Sequence, residues 1–237
     1  MPDPRPGPSR RSFRIVLGLL IGLAAANAGY LVVKAWRGPQ GMHRFTGDRQ
    51  RTRNDLFQRM IPDSGAIVFL GDSHLEHYPL TEVFPRLPVV NRGVSASTIE
   101  DVTRRVRFSC GPAPALIVVH VGINDLFKRR PVERFGSDLA ALLDTLRSAH
   151  PSAPILVDEL LPTADTGMDE QVRRCNATIH HQADRIGAEV LPLYDAFAQG
   201  GMIDPVLSYD GVHLNAEGYA RWTTLLAPLL SQYTSTP

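Results

Sequence analysis

The chain is expected to fold as an α/β protein, a three-layer α/β/α sandwich around a parallel five-stranded sheet. Three observations predict this. Short runs rich in Val, Ile and Leu recur at 66–70, 89–91, 115–120, 155–158 and 189–193, as parallel strands covered on both faces require. Helical patterns fill the intervals between them, and strands alternating with helices of this length imply crossover units. Polar and glycine-bearing turns follow several of the strands, where the functional loops of an open parallel sheet lie. A chain of 237 residues holds one substantial core, and two only with difficulty.

Taken in order, the first element precedes the sandwich. Phe13 to Val33 contains no Asp or Glu and is free of charge from Ile15 onward. Roughly twenty apolar residues suffice for a helix that crosses a bilayer. Arg5, Arg10, Arg11 and Arg14 stand before the apolar body and Lys34 and Arg37 after it, a bias that places the N-terminus on the cytoplasmic side. Ala26-Asn27-Ala28 has the small-x-small form of a cleavage site, so a removable signal peptide competes with a retained anchor. The apolar residues Tyr30 to Val33 continue past that site and favour the anchor. Ser9-Arg10-Arg11-Ser12-Phe13 also resembles a twin-arginine export signal. The expected division is a signal-anchor or signal peptide at 1–36, a tether or strap at 37–53 and one globular domain at 54–237.

Charge follows the same division. Residues 1–53 hold ten Lys or Arg against two Asp or Glu, whereas 54–237 hold fifteen against twenty-two. The globular part is mildly acidic and gives no general reason to bind nucleic acid. The two cysteines, Cys110 and Cys175, are too few for a metal knuckle. Export would permit a disulfide, and two separate buried thiols are the equal alternative.

Within the domain, Asn54 to Met60 reads as a short helix ended by Pro62. Ser97-Thr98-Ile99-Glu100 reads as a capping box that opens a helix to about Phe108, with Ile99, Val102 and Val106 on one stripe. Pro131 is suited to start the next helix, where Phe135, Leu139, Leu142, Leu143 and Leu146 recur at helical spacing. A third helix is expected from Met168 to Ile186, and a fourth from Ala216 to Tyr233 with Asn215 as its cap.

The chemistry concentrates in the loops after strands. Ser73 follows the first strand in Leu70-Gly71-Asp72-Ser73-His74, and its hydroxyl is a weak nucleophile until a base takes its proton. Far downstream, Asp210 and His213 stand three residues apart around Gly211, so the carboxylate can face one ring nitrogen while the other meets Ser73. Acyl transfer also needs donors aimed at the oxygen that becomes negative. The backbone N–H of Ser73, the N–H of Gly93 after the second strand and the side-chain amide of Asn124 after the third are the candidates. Asp72 and Asp125 are expected to brace these loops by accepting backbone N–H groups. His74 and His77, with Asp72 and His120 as the nearest further ligands, lack diagnostic metal spacing. Arg104, Arg105 and Arg107 are read as a solvated helix face, and His180 and His181 as surface side chains.

These blocks resemble the SGNH branch of the GDSL esterase/lipase superfamily. Gly71-Asp72-Ser73 is similar to its first block, with His74 where the commonest version has Leu. Gly93 matches the second block's glycine, Gly122-Ile123-Asn124-Asp125 the third, and Asp210 to His213 the last. The resemblance implies a flavodoxin-like sandwich, Ser73, Asp210 and His213 as triad, and Ser73, Gly93 and Asn124 as oxyanion hole. It further implies a serine esterase without metal or organic cofactor. The expected substrates are short-chain or O-acetyl esters, carbohydrate esters among them, met at the cell envelope on the extracytoplasmic side. A lysophospholipid or other lipid ester, an O-acyltransfer reaction on the same triad, and a non-catalytic envelope carbohydrate-binding protein are the alternatives.

Overall fold

The structure is a computed structural model that describes residues 27–28 and 47–233. The apolar leader at 13–33 lies almost wholly outside the described residues. Among those described, no helix is long and apolar enough to cross a membrane. The chain divides into Met1–Arg49 and Gln50–Pro237, and the fold below is that of the second unit.

Five parallel strands form its sheet: β1 (Ile67–Gly71), β2 (Val89–Gly93), β3 (Leu116–His120), β4 (Ile155–Asp158) and β5 (Glu189–Leu191), in the order β2-β1-β3-β4-β5. The order reverses beside β1, the place where open α/β sheets carry their ligand crevice. Register aligns Gly71 of β1 with Gly93 of β2 and with His120 of β3, so the three strands end level with one another.

Period-two alternation divides the strand side chains between two cores. Val68, Leu70, Ile117, Val119, Ile155 and Val157 face α4 (Ile99–Ser109), α6 (Val132–Ala149) and α7 (Asp169–Arg185). Ile67, Phe69, Val118 and Leu156 face α2 (Ser73–His77) and the last long helix, α9 (Ala216–Leu230), whose Trp222, Leu226 and Leu230 are fully buried. Each fully buried Leu, Ile or Phe contributes about 1.5–3 kcal/mol relative to exposure. The level strand ends are thus held between two packed apolar cores.

The expected sandwich is present, with some differences in detail. The capping box is one residue later than expected: Thr98 Oγ1 accepts from the Asp101 N–H, while Asp101 accepts from the Thr98 N–H. Ser97 is instead drawn inward to Arg105. The first helix covers residues 47–59, so the end of the expected tether is helical. Pro131 caps α6 rather than opening it. Short antiparallel strands at Ala198–Gln199 and Met202–Ile203 were not anticipated, because two-residue strands carry no periodicity. Cys110 and Cys175 are separate, buried free thiols.

Candidate active site

β1 ends at Gly71, and the chain turns there under Asp72 and Ser73. A Cβ on Gly71 would sit 2.0 Å from the His120 carbonyl oxygen, so the turn closes this tightly only around glycine. Asp72 caps α2 by accepting the His74 N–H at 3.0 Å. Ser73 thereby takes the first helical position, 6% exposed, with its N–H unbonded among the described residues.

The structure brings Ser73, His213 and Asp210 together in that order. Ser73 Oγ is 3.0 Å from His213 Nε2, and His213 Nδ1 is 2.7 Å from Asp210 Oδ2. The other Asp210 oxygen accepts the N–H groups of Val212 at 3.0 Å and His213 at 2.7 Å, which locks the three-residue loop around the carboxylate. Burial raises the Asp210 pKa, but the His213 hydrogen bond and these two N–H groups outweigh it and hold the carboxyl at about 2. With Asp210 ionised, the Nδ1 position carries the proton and Nε2 faces Ser73 as an acceptor. Tyr209 stacks on the His213 ring at 5.8 Å and is 62% exposed.

One of the three expected oxyanion donors is already engaged. The Gly93 N–H already donates to Asn91 Oδ1 at 2.9 Å. What the absent side chain provides is room, since a Cβ there would lie 2.2 Å from the Glu76 nitrogen. Further along the loop, the Val94 N–H donates to the Gly71 carbonyl, Ser95 to Glu76, Ser97 to the Val94 carbonyl and Thr98 to Asp101. Ala96 alone in this loop has an N–H without an acceptor among the described residues, and its φ is +60°. A left-handed alanine costs roughly 1–2 kcal/mol, and such outliers gather at functional sites. The Ser95 carbonyl accepts from Gln50 Nε2 at 2.8 Å. Because the peptide is planar and trans, that bond turns the Ala96 N–H to the opposite side. Asn124 Nδ2 gives one hydrogen to the Ser97 carbonyl at 3.0 Å, and its second has no acceptor among the described residues. A positive φ at a non-glycine residue is invisible in sequence, which is why Ala96 went unnoticed there.

A second departure concerns Arg105. Expected on a solvated face, it is 2% exposed, donating to Ser97 Oγ at 3.0 Å and to the Gly71 carbonyl. Arg104, by contrast, is exposed and paired with Glu100 and Asp101. Asp125 braces as expected, accepting the Ile99 N–H at 3.0 Å. His180 is a surface side chain bonded to Glu159 at 2.8 Å. The His77 and His74 rings lie 5.4 and 5.7 Å from the His213 ring. One ligand atom each from Asp72, His74 and His120 lie within 4.8 Å of one another, the trio whose geometry could admit a cation.

A cleft of ≈ 630 Å³ opens at the loops after β3 and β4, lined by Leu126, Phe127, Arg130, Asp165 and Met168 among others. It starts two residues beyond Asn124, and none of the three residues of the Ser73–His213–Asp210 array lines it.

The profile of the GDSL-like lipase/acylhydrolase family matches residues 69–221. No curated protein matches the chain. Among solved structures, a Streptococcus pneumonia protein named for platelet activating factor aligns at TM-score 0.75 and 22% identity, covering 81% of this chain and 98% of that one. A GDSL-like lipase from Bacteroides thetaiotaomicron aligns at TM-score 0.67 and 20% identity over 78% of this chain and 97% of its own. A carbohydrate esterase family 3 protein from Talaromyces cellulolyticus aligns at 0.57 and 19%, over 74% and 98%. At these identities the likeness is one of fold.

Proposed function

Since this chain belongs to the GDSL-like lipase/acylhydrolase family, and so is a hydrolase of carboxylic esters, we propose that Ser73 is its nucleophile, His213 its general base and Asp210 the acid that orients the base. The observation that carries this is the continuous array Ser73 Oγ–His213 Nε2, His213 Nδ1–Asp210 at 3.0 and 2.7 Å. In the first stage His213 takes the hydroxyl proton as Ser73 Oγ attacks the ester carbonyl, and the oxyanion rests against the N–H groups of Ser73 and Ala96 and the free amide hydrogen of Asn124. The intermediate collapses to an acyl-serine as His213 protonates the departing alcohol. Water, deprotonated by His213, then releases the acid and restores Ser73.

The substrate we propose is a short-chain or O-acetyl ester, with carbohydrate esters the favoured group. In support, the His213 and Asp210 side chains are 26% and 41% exposed, and Tyr209 offers an exposed aromatic face beside His213. A lipid ester is the second reading, favoured by the exposed apolar side chains Met202, Val206 and Tyr209 in the segment leading to the acid–base loop. Replacing Ser73 with Ala should abolish labelling by a fluorophosphonate and lower ester turnover by about 10³-fold or more. Undiminished turnover would remove Ser73 from the mechanism. The same assay across nitrophenyl esters should peak at acetyl or propionyl, and an optimum at long acyl chains would select the lipid reading.

A further inference from the structure

Beneath the nucleophile turn lies a buried polar group that the reaction leaves unused. His74, 2% exposed, directs Nε2 to the Val212 carbonyl at 2.9 Å, a bond joining residues 138 apart in sequence. Its Nδ1 lies 3.4 Å from Asp72 Oδ1, long for a hydrogen bond but within ion-pair range. Its own carbonyl accepts from Tyr219 Oη at 2.7 Å, so the residue is held from three directions.

Proton placement follows from these partners. A carbonyl oxygen only accepts, so Nε2 carries a hydrogen. The fully buried Asp72 carboxylate faces Nδ1, and a second hydrogen there turns that contact into an attraction. Burial opposes charge on both groups. The pairing with Asp72 nevertheless leaves the His74 pKa raised, and the His74 contacts leave that of Asp72 lowered. The neighbouring His120, whose ring is 5.1 Å away on β3, is kept neutral by burial, its pKa pushed down to about 3. Asp210 and His213 approach from the acid–base loop, and Tyr219 from α9.

Val212 lies between Asp210 and His213. Most polar contacts of this loop are internal to 208–214, such as Ser208 Oγ to the His213 carbonyl at 2.7 Å. Among the described residues its backbone carbonyls make two bonds to other parts of the chain: Gly211 accepts from the Ala164 N–H at 2.7 Å, and Val212 from His74 Nε2. Of these two, the second reaches the turn that carries Ser73, where it adds to the bond between His213 Nε2 and Ser73 Oγ.

We propose that His74 is a positioning residue: held between Asp72 and the Val212 carbonyl, it sets the separation between Ser73 and His213. This rests on the roles assigned above to Ser73 and His213. Leucine at position 74 would leave the Val212 carbonyl without its donor and Asp72 without its counter-charge. Glutamine places an amide nitrogen near the Nε2 position, whereas the shorter asparagine reaches only toward Asp72.

The test compares H74L, H74Q and H74N in the full chain by turnover of nitrophenyl acetate, rate of fluorophosphonate labelling and thermal midpoint. H74L should lower kcat by about tenfold or more with KM within about twofold, and slow labelling in parallel, as expected for a misplaced base. H74Q should return to within about threefold of the parent, and H74N should not. Parent-like kcat in H74L, or H74Q no better than H74N at equal thermal midpoints, would overturn the proposal. So would a stoichiometric metal ion in the purified protein, since a cation would then hold Asp72 and His74. If H74L does not fold, the Gln and Asn variants decide alone. Parent protein that is not labelled at Ser73 signals failure of the catalytic assignment itself, whereas labelling as fast in H74L as in the parent signals failure of the positioning role only.

Discussion

The acid–base loop and the floor beneath the nucleophile turn are built from the same residue types, Asp and His, in opposite environments. In the loop, the Asp210 and His213 side chains are 41% and 26% exposed and 2.7 Å apart. In the floor, Asp72, His74, His120 and Asp158 are all 2% exposed or less. An exposed ion pair adds little to stability, so the value of Asp210–His213 lies in orienting a ring. A buried charge that loses its partner destabilises strongly, so the Asp72–His74 pair is free to act as a rigid joint. The same residue types thus stand where water reaches them in the loop and where it does not in the floor.

The largest test after Ser73 itself is Asn124, which follows β3, the strand that ends at His120 of the floor. Replacing it with Ala removes an amide from the proposed oxyanion cradle and should reduce kcat by about 10²–10³ with little change in KM. A loss confined to KM would place Asn124 in ground-state binding instead.

Asp158 tests the floor alone. Burial holds its pKa well above the usual carboxylate range, so it is protonated in the fold over a span of pH where the unfolded chain would ionise it. For such a raised carboxyl, stability is complete below the unfolded value near pH 4 and is lost as pH rises toward the folded one. D158N cannot ionise and should therefore gain about 3 °C over the parent at pH 8, with the gain vanishing near pH 4. A pH-independent difference would show that packing, not protonation, separates the two proteins. Ester turnover at pH 7 should be little altered, because Asp158 contacts none of the reacting groups.

The smallest expected effect concerns Ala96. A96G keeps the N–H while relieving the left-handed backbone, and the looser unfolded chain offsets part of that gain. A net stabilisation of up to about 1 kcal/mol, about 2–4 °C, should appear with activity retained. Marked destabilisation would mean that the loop does not hold the φ of +60° that leaves this N–H unbonded.

The sandwich was legible in the sequence, and so were Ser73, Asp210 and His213 as residues that the fold brings within hydrogen-bond reach of one another. Those conclusions rest on local signals: alternating apolar strands, a glycine turn after the first, and an acid and a base three residues apart. The capping box was displaced by one residue because Ser97 and Thr98 are equally good caps, and the demand of buried Arg105 for the Ser97 hydroxyl decided between them. Arg105 itself read as surface because its neighbours Arg104 and Arg107 are charged. Its burial depends on the Gly71 carbonyl, 34 residues away.

Only the tertiary structure shows that the Gly93 N–H is already bonded while, among the described residues, the Ala96 N–H has no acceptor, and this puts Ala96 rather than Gly93 in the proposed cradle. It alone brought Asp72 and His74 beside His120, Asp158 and the Val212 carbonyl, contributions from the ends of three strands and a distant loop. Periodicity and spacing report which face a residue takes and what its near neighbours can do. Whether a buried polar group finds a partner across the core is settled only when the strands are in register and water has been excluded.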